Sequence, residues 1–187
     1  MRLRARAVSS CLITLAAAAT LGSTLVAPAS AVTTAPSTGA PALRTASASA
    51  AVGAEDRASR AAARAALMRA AAVRLGKSKV GHAQYVAGGS GPHSFDCSGF
   101  TSWVWRRSGK AIPRSSYGQY SGLKKISRSQ ARPGDLVFFF GLGSHHVGLY
   151  IGGGKMVHAA NPERDVLISN IDGPWYRERL SGFRRVV

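Results

Sequence analysis

The chain has 187 residues, 45% of them hydrophobic, with 25 basic side chains against 8 acidic ones and a formal net charge of +17. That length limits the chain to one ordinary domain plus appendages. Two cysteines exclude a disulfide-built scaffold, and the charge bears on association with anionic partners rather than on fold.

At the N-terminus, Arg2, Arg4 and Arg6 precede the apolar run CLITLAAAATLGSTLVA, and Ala29-Ser30-Ala31 supplies a small-x-small cleavage pattern. This is the layout of a secretory signal over residues 1–31. The run is too short, and too rich in Ala and Thr, for a spanning helix. Cys11 leaves with the signal, and no lipoprotein cleavage box precedes it. The exported remainder then holds one cysteine, Cys97. In an oxidising compartment such a residue is either intermolecular or a free thiol of interest. Loss of the three arginines lowers the net charge from +17 to +14. For an exported protein this balance points to anionic wall polymers or membrane headgroups ahead of nucleic acid, with plain solubilisation as the competing reading.

Residues 32–54 are almost entirely Ala, Ser, Thr, Pro and Gly and read as a disordered linker. From Glu55 to Leu75 strong helix formers dominate, with Glu55 and Asp56 at the start and Gly76 just past the end. A Gly-rich loop follows, carrying His82 and His93. Cys97 to Arg107 reads as a second helix, closed by Gly109. After turn-rich connections come short strands over 135–140, 145–151, 155–160, 165–170 and 182–187. One helix ahead of closely spaced strands implies an α+β domain built on an antiparallel sheet. No internal repeat and no structural-zinc spacing is present.

The chemistry concentrates at Cys97. Asp96 fits the N-cap of its helix, which leaves the thiol at the first turn, where free N–H groups and the positive dipole end favour thiolate. The Ser98-Gly99 backbone offers an N–H toward a developing oxyanion. A thiol nucleophile needs a base, and histidine is the usual one. In HHVGLYI, alternation sets His145, Val147, Leu149 and Ile151 on one face, and His146, Gly148 and Tyr150 on the other. Gly148 leaves room beside His146, and the Cys97 helix suits that gap. Gly152-Gly153-Gly154 predicts a hairpin. A three-residue loop sets His158 opposite Gly148 and diagonal to His146, about 7–8 Å away between backbones; a two-residue loop puts the histidines on opposite faces. His158 on the same face would orient His146 as the third member of a triad does. Singly, each residue has a plainer role as buried cysteine or structural histidine. Together they also suit a transition metal, but a thiol at a helix N-terminus favours nucleophilic catalysis.

FDCSGFTSWVW, RPGDLVFFF, HHVGLYIGGGKMVHAANP and the intervening IPRSSYGQY resemble the NlpC/P60 cysteine peptidases over residues 65–187. The resemblance implies a compact papain-like α+β fold, its nucleophile helix packed on a five- to six-stranded antiparallel sheet, with the catalytic domain at 55–187. Cys97 would be nucleophile, His146 general base and His158 its orienting partner. Tyr85 would line the site near the oxyanion, and Asp96, Ser98, Arg114, Ser115 and Ser116 match substrate-pocket positions. The implied activity is hydrolysis of a peptide bond in peptidoglycan stem peptides, of the γ-D-glutamyl–diamino acid type. The implied agent is a secreted, wall-located monomer using no metal or cofactor. The alternatives are an amidase or acyl transferase on the same scaffold, and a catalytically inactive wall-binding protein. One departure stands out: Tyr85-Val86-Ala87-Gly88-Gly89 has Ala87 where the family often carries an aromatic residue.

Overall fold

Alanine governs the first element. The computed structural model describes residues 42–141 and 145–187, with side chains from 53 onward. The expected signal segment and the linker up to residue 41 lie outside the described residues. Helix α1 runs Ala42–Lys77, so the linker expected over 32–54 is helical from Ala42, ahead of the predicted start at Glu55. Missing large apolar side chains bear on burial, whereas helix propensity is set largely by alanine, the strongest helix former. Among the described residues no helix is long and apolar enough to cross a membrane.

After α1 come two short strands, β1 (Gln84–Tyr85) and β2 (Ser94–Phe95), paired in parallel. Helices α2 (Cys97–Arg107) and α3 (Ser116–Gly122) follow. The sheet is built from β3 (Lys124–Ile126), β4 (Leu136–Phe139), β5 (His146–Gly152), β6 (Lys155–Ala159), β7 (Val166–Asn170) and β8 (Leu180–Arg185), with a short helix α4 (Pro174–Arg177) before the last. All neighbours are antiparallel, in the order β3-β8-β4-β5-β6-β7. Strand β3 was hidden in a Lys- and Ser-rich stretch because only Ile126, opposite Phe183, faces the core.

Side-chain alternation divides the core in two. Leu136, Phe138, Val147, Leu149 and Val157 join Phe100, Val104 and Trp105 of α2 on one face, and Val137, Phe139, Met156 and Phe183 pack on the other. Fully buried Phe100, Trp105 and Phe138 each contribute roughly 1.5–3 kcal/mol relative to exposure. Helix α1 closes onto the first face through Gly76. The sequence made Gly76 the helix stop, but it lies inside α1, where a Cβ would stand 2.9 Å from Leu149 Cδ2 and 3.1 Å from Val157 Cγ1.

The β5–β6 hairpin keeps the predicted parity by a different route. Leu149 pairs with Val157 and Tyr150 with Met156, but the register then shifts and Gly152 pairs with Lys155. The turn is thus the two residues Gly153 and Gly154, both at positive φ as a type I′ turn requires. An extra residue on the β5 side restores the register that a three-residue loop would have set. A second prediction fails here. Gly148 does not admit the Cys97 helix; its missing Cβ leaves space for Met156, whose Sδ would be 2.6 Å from it. The helix lies on the opposite face of the sheet.

Candidate active site

Asp96 begins α2 in extended conformation (φ −90°, ψ 177°), and its side chain accepts from Gly99 N at 2.6 Å. It also accepts from Gly88 N at 3.0 Å and from Ser98 Oγ at 3.2 Å. Arg114 closes this network, reaching Asp96, Ser98 Oγ, Ser90 Oγ and the Gly89 carbonyl. Burial pushes the Asp96 carboxyl up, but the Arg114 guanidinium and the Gly99 N–H outweigh it and hold it below its usual range. Gly99 is required by close approach, because a Cβ there would collide with the Gly89 carbonyl oxygen. Fully buried Gln119 ties α3 to α2 through Thr101 Oγ1, the Ser98 carbonyl and the Pro113 carbonyl.

Cys97 is therefore held at the first turn of a braced helix. Its thiol is partly buried and reaches the backbone N–H of Val147, the residue after His146 on β5. The electrostatics differ from the sequence-based expectation of a favoured thiolate. Burial pushes the thiol up, the Asp96 charge adds to this, and the N–H groups of Val147, Ser98 and Cys97 recover only part of it. Tyr85 shares the neighbourhood, its phenol pushed up by burial and then by the nearby Cys97 and Asp96. Asp165, at φ 56°, holds Tyr85 in place by accepting its backbone N–H at 2.8 Å.

The two histidines meet as a pair. His146 Nε2 and His158 Nδ1 are 2.8 Å apart, with ring planes at 83°. Burial pulls His146 down to about 4, and burial together with His146 pulls His158 well below the ordinary range. Both are neutral near pH 7. Since Nε2 of His146 is committed to His158, Nδ1 is the nitrogen left for proton exchange. His158 Nε2 in turn contacts Ser169 Oγ at 2.9 Å. Beside the pair opens a groove of about 500 Å³ lined by Phe140, His146, Asn161, Leu167, Trp175 and Tyr176.

Other predicted positions have internal duties. Ser115 caps α3, accepting from Gly118 N at 3.1 Å, and Ser116 is buried in the first turn of α3. Ala87 is exposed on the turn closed by Gly89 N to the Val86 carbonyl. His82, His93 and His145 are exposed. Among the described residues, no three His, Cys, Asp or Glu side chains gather as a metal-binding group.

The NlpC/P60 family model matches residues 81–185, more than half of the chain and every element that carries this site. The chain belongs to the NlpC/P60 family. A probable endopeptidase p60 from Listeria welshimeri is 50% identical over 103 residues, covering 54% of this chain and 19% of the relative. A γ-D-glutamyl-L-lysine dipeptidyl-peptidase from Bacillus cereus is 40% identical over 105 residues, covering 54% of this chain and 32% of the relative. The match therefore spans between about a fifth and a third of these relatives' lengths. A crystal structure of an NlpC/P60 family protein from Bacillus cereus superposes with a TM-score of 0.60 at 36% identity, covering 63% of this chain and 40% of that one.

Within this NlpC/P60 domain, sequence reasoning missed Gln119, Asp165, Ser169 and Tyr176. Ser169 had a findable signal. The β6–β7 register pairs Met156 with Ser169 and His158 with Leu167, which puts Ser169 diagonal to His158 on the same face. The length of the β6–β7 turn had to be known first.

Proposed function

We propose that this chain is a cell-wall hydrolase cleaving a peptide bond in peptidoglycan stem peptides, with Cys97 as nucleophile, His146 as general base and His158 as its orienting partner. The observation that carries this reading is the 2.8 Å bond between His146 Nε2 and His158 Nδ1. It engages Nε2 of a neutral His146, so proton exchange falls to Nδ1, on the strand whose next N–H meets the Cys97 thiol. In the first half-reaction the Cys97 proton passes to His146 as Sγ bonds the scissile carbonyl carbon. Backbone N–H groups at the start of α2 face the developing oxyanion, with Tyr85 at its side. Collapse of the intermediate breaks the C–N bond, His146 returns the proton to the leaving amine, and a thioester remains. Water, deprotonated by His146, then releases the acyl group and restores the thiol.

The scissile bond is of the γ-D-glutamyl–diamino acid type, a reading supported by the name of the Bacillus cereus relative. The groove beside His146, walled by Leu167 and Trp175, offers space for a stem peptide. Asp96, Ser98, Arg114, Ser115 and Ser116 belong to the frame of the pocket. The chain acts as a monomer outside the cell, its signal removed after Ala31, and its charge favours retention on anionic wall polymers.

Digestion of defined muropeptides by the full chain, read by product masses, tests this reading. The chain is expected to release new amino groups at the γ-D-glutamyl bond, and Cys97→Ala to release none while unfolding at the same denaturant concentration. Equal product from the variant would sink the assignment. Products that differ only in the bond cut would move it to an amidase.

A further inference from the structure

We propose that Ser169 is a positioning residue: through His158 it sets which nitrogen of each histidine carries the proton, and so keeps His146 Nδ1 as a free lone pair. The proposal rests on the role given to His146 above. The chain of contacts is continuous. His146 Nε2 meets His158 Nδ1 at 2.8 Å, and His158 Nε2 meets Ser169 Oγ at 2.9 Å. The Tyr176 phenol neighbours Ser169, whose hydroxyl offsets part of the rise that burial imposes on that phenol. The Tyr176 ring lies over His146 at 6.3 Å with planes 25° apart, and edge-on to His158 at 5.6 Å and 89°.

Each neutral imidazole carries one proton, and a serine hydroxyl carries one proton and two lone pairs. Only two arrangements satisfy both short contacts. In one, Ser169 donates to His158 Nε2, so His158 donates from Nδ1 to His146 Nε2. The remaining His146 proton then sits on Nδ1, and no base is presented. In the other, Ser169 accepts from His158 Nε2–H, His158 Nδ1 accepts from His146 Nε2–H, and His146 Nδ1 keeps its lone pair. The role given to His146 needs the second, and the Tyr176 phenol beside Ser169 can accept the proton that Ser169 then has to spare. A Ser169 proton spent on Tyr176 leaves Oγ as an acceptor toward His158, as the second arrangement requires. A hydroxyl at position 169 that accepts from His158 thus holds a proton on His146 Nε2, two residues away.

The test uses the full chain with 15N-labelled histidine, as wild type, Ser169→Ala, Ser169→Thr and Tyr176→Phe. In the wild type, the nitrogen shifts are expected to report protonation at Nε2 of both His146 and His158. In Ser169→Ala they are expected to show mixed tautomers, with kcat on muropeptides down by about 10- to 100-fold; because Ser169 also lines the groove beside His146, loss of a substrate contact alone would instead raise KM and leave the nitrogen shifts unchanged. Ser169→Thr keeps the hydroxyl and is expected to restore both readouts. Tyr176→Phe gives a second route to the same tautomer mixing should Ser169→Ala unfold. Unchanged nitrogen shifts in Ser169→Ala, or a folded Ser169→Thr that restores neither readout, would overturn the proposal. A wild type with no muropeptide activity defeats the peptidase reading instead, and the nitrogen shifts still decide the role of Ser169.

Discussion

Arg114 grips Asp96 with both arms of its guanidinium, Nη1 2.9 Å from Oδ1 and Nη2 2.7 Å from Oδ2. The same side chain reaches Ser90, Ser98 and the Gly89 carbonyl, so one residue from the α2–α3 connection fixes the loop before Cys97 and the cap of its helix. Lysine has no planar fork to reproduce this. Arg114→Lys is expected to cost about 1–2 kcal/mol, the lower end for charged hydrogen bonds because the Arg114 side chain is 43% exposed. Urea unfolding of the two proteins checks the figure, and an unchanged midpoint would refute the bracing role.

Gly99 makes a sharper case. A Cβ there meets the Gly89 carbonyl oxygen, which is backbone and accepts from Asp96 N at 3.1 Å, so neither side yields cheaply. Gly99→Ala is expected to destabilise by about 1–3 kcal/mol or more, as overpacking does. It should also lower the rate of Cys97 alkylation in the native state by displacing the first turn. Thermal unfolding and iodoacetamide labelling, run side by side, measure both. A variant as stable as wild type would show that the loop moves freely.

Much of this site was legible in the sequence, and the reason is local. Asp96 as a cap, Cys97 at the first turn and the alternation that pairs His146 with His158 all follow from short-range rules. What escaped depended on contacts between segments distant in the chain. Burial of Cys97 works against the thiolate bias expected from the helix dipole, and that burial comes from packing against the core cluster. The bulge in β5 could not be read from three glycines, although it preserves the face that a three-residue loop would have set. The helical start at Ala42 was hidden for the opposite reason: low apolar content argued for disorder, while alanine content argued for helix.

The resting protonation state of Cys97 is open to direct measurement. Burial pushes the thiol above its ordinary value of 9.0, and the N–H groups at α2 and Val147 offset only part of this. The rate of iodoacetamide alkylation in the native state is therefore expected to keep rising beyond pH 9. A plateau already reached near neutral pH would instead establish a thiolate, and with it an ion pair to His146 in place of general-base transfer.

The histidine pair also couples folding to acidity. Burial lowers His146 from 6.5 to about 4 and lowers His158 in the same direction. The unfolded chain therefore binds more protons than the native one between those values. Stability from this source is fully present above pH 6.5 and is lost as pH falls toward 4. For His146 alone the loss approaches about 3 kcal/mol, because each pH unit between the unfolded and folded values is worth about 1.36 kcal/mol. His146→Gln is expected to flatten the decline of unfolding free energy over this window, and urea titrations at half-unit pH intervals measure it. Wild-type and variant curves that run parallel would mean that the pair is solvated in solution. If the decline is as expected, the folded protein keeps a neutral His146 in acid that would protonate an ordinary histidine. Loss of activity on acidification should then track unfolding, with the surviving native fraction retaining its turnover.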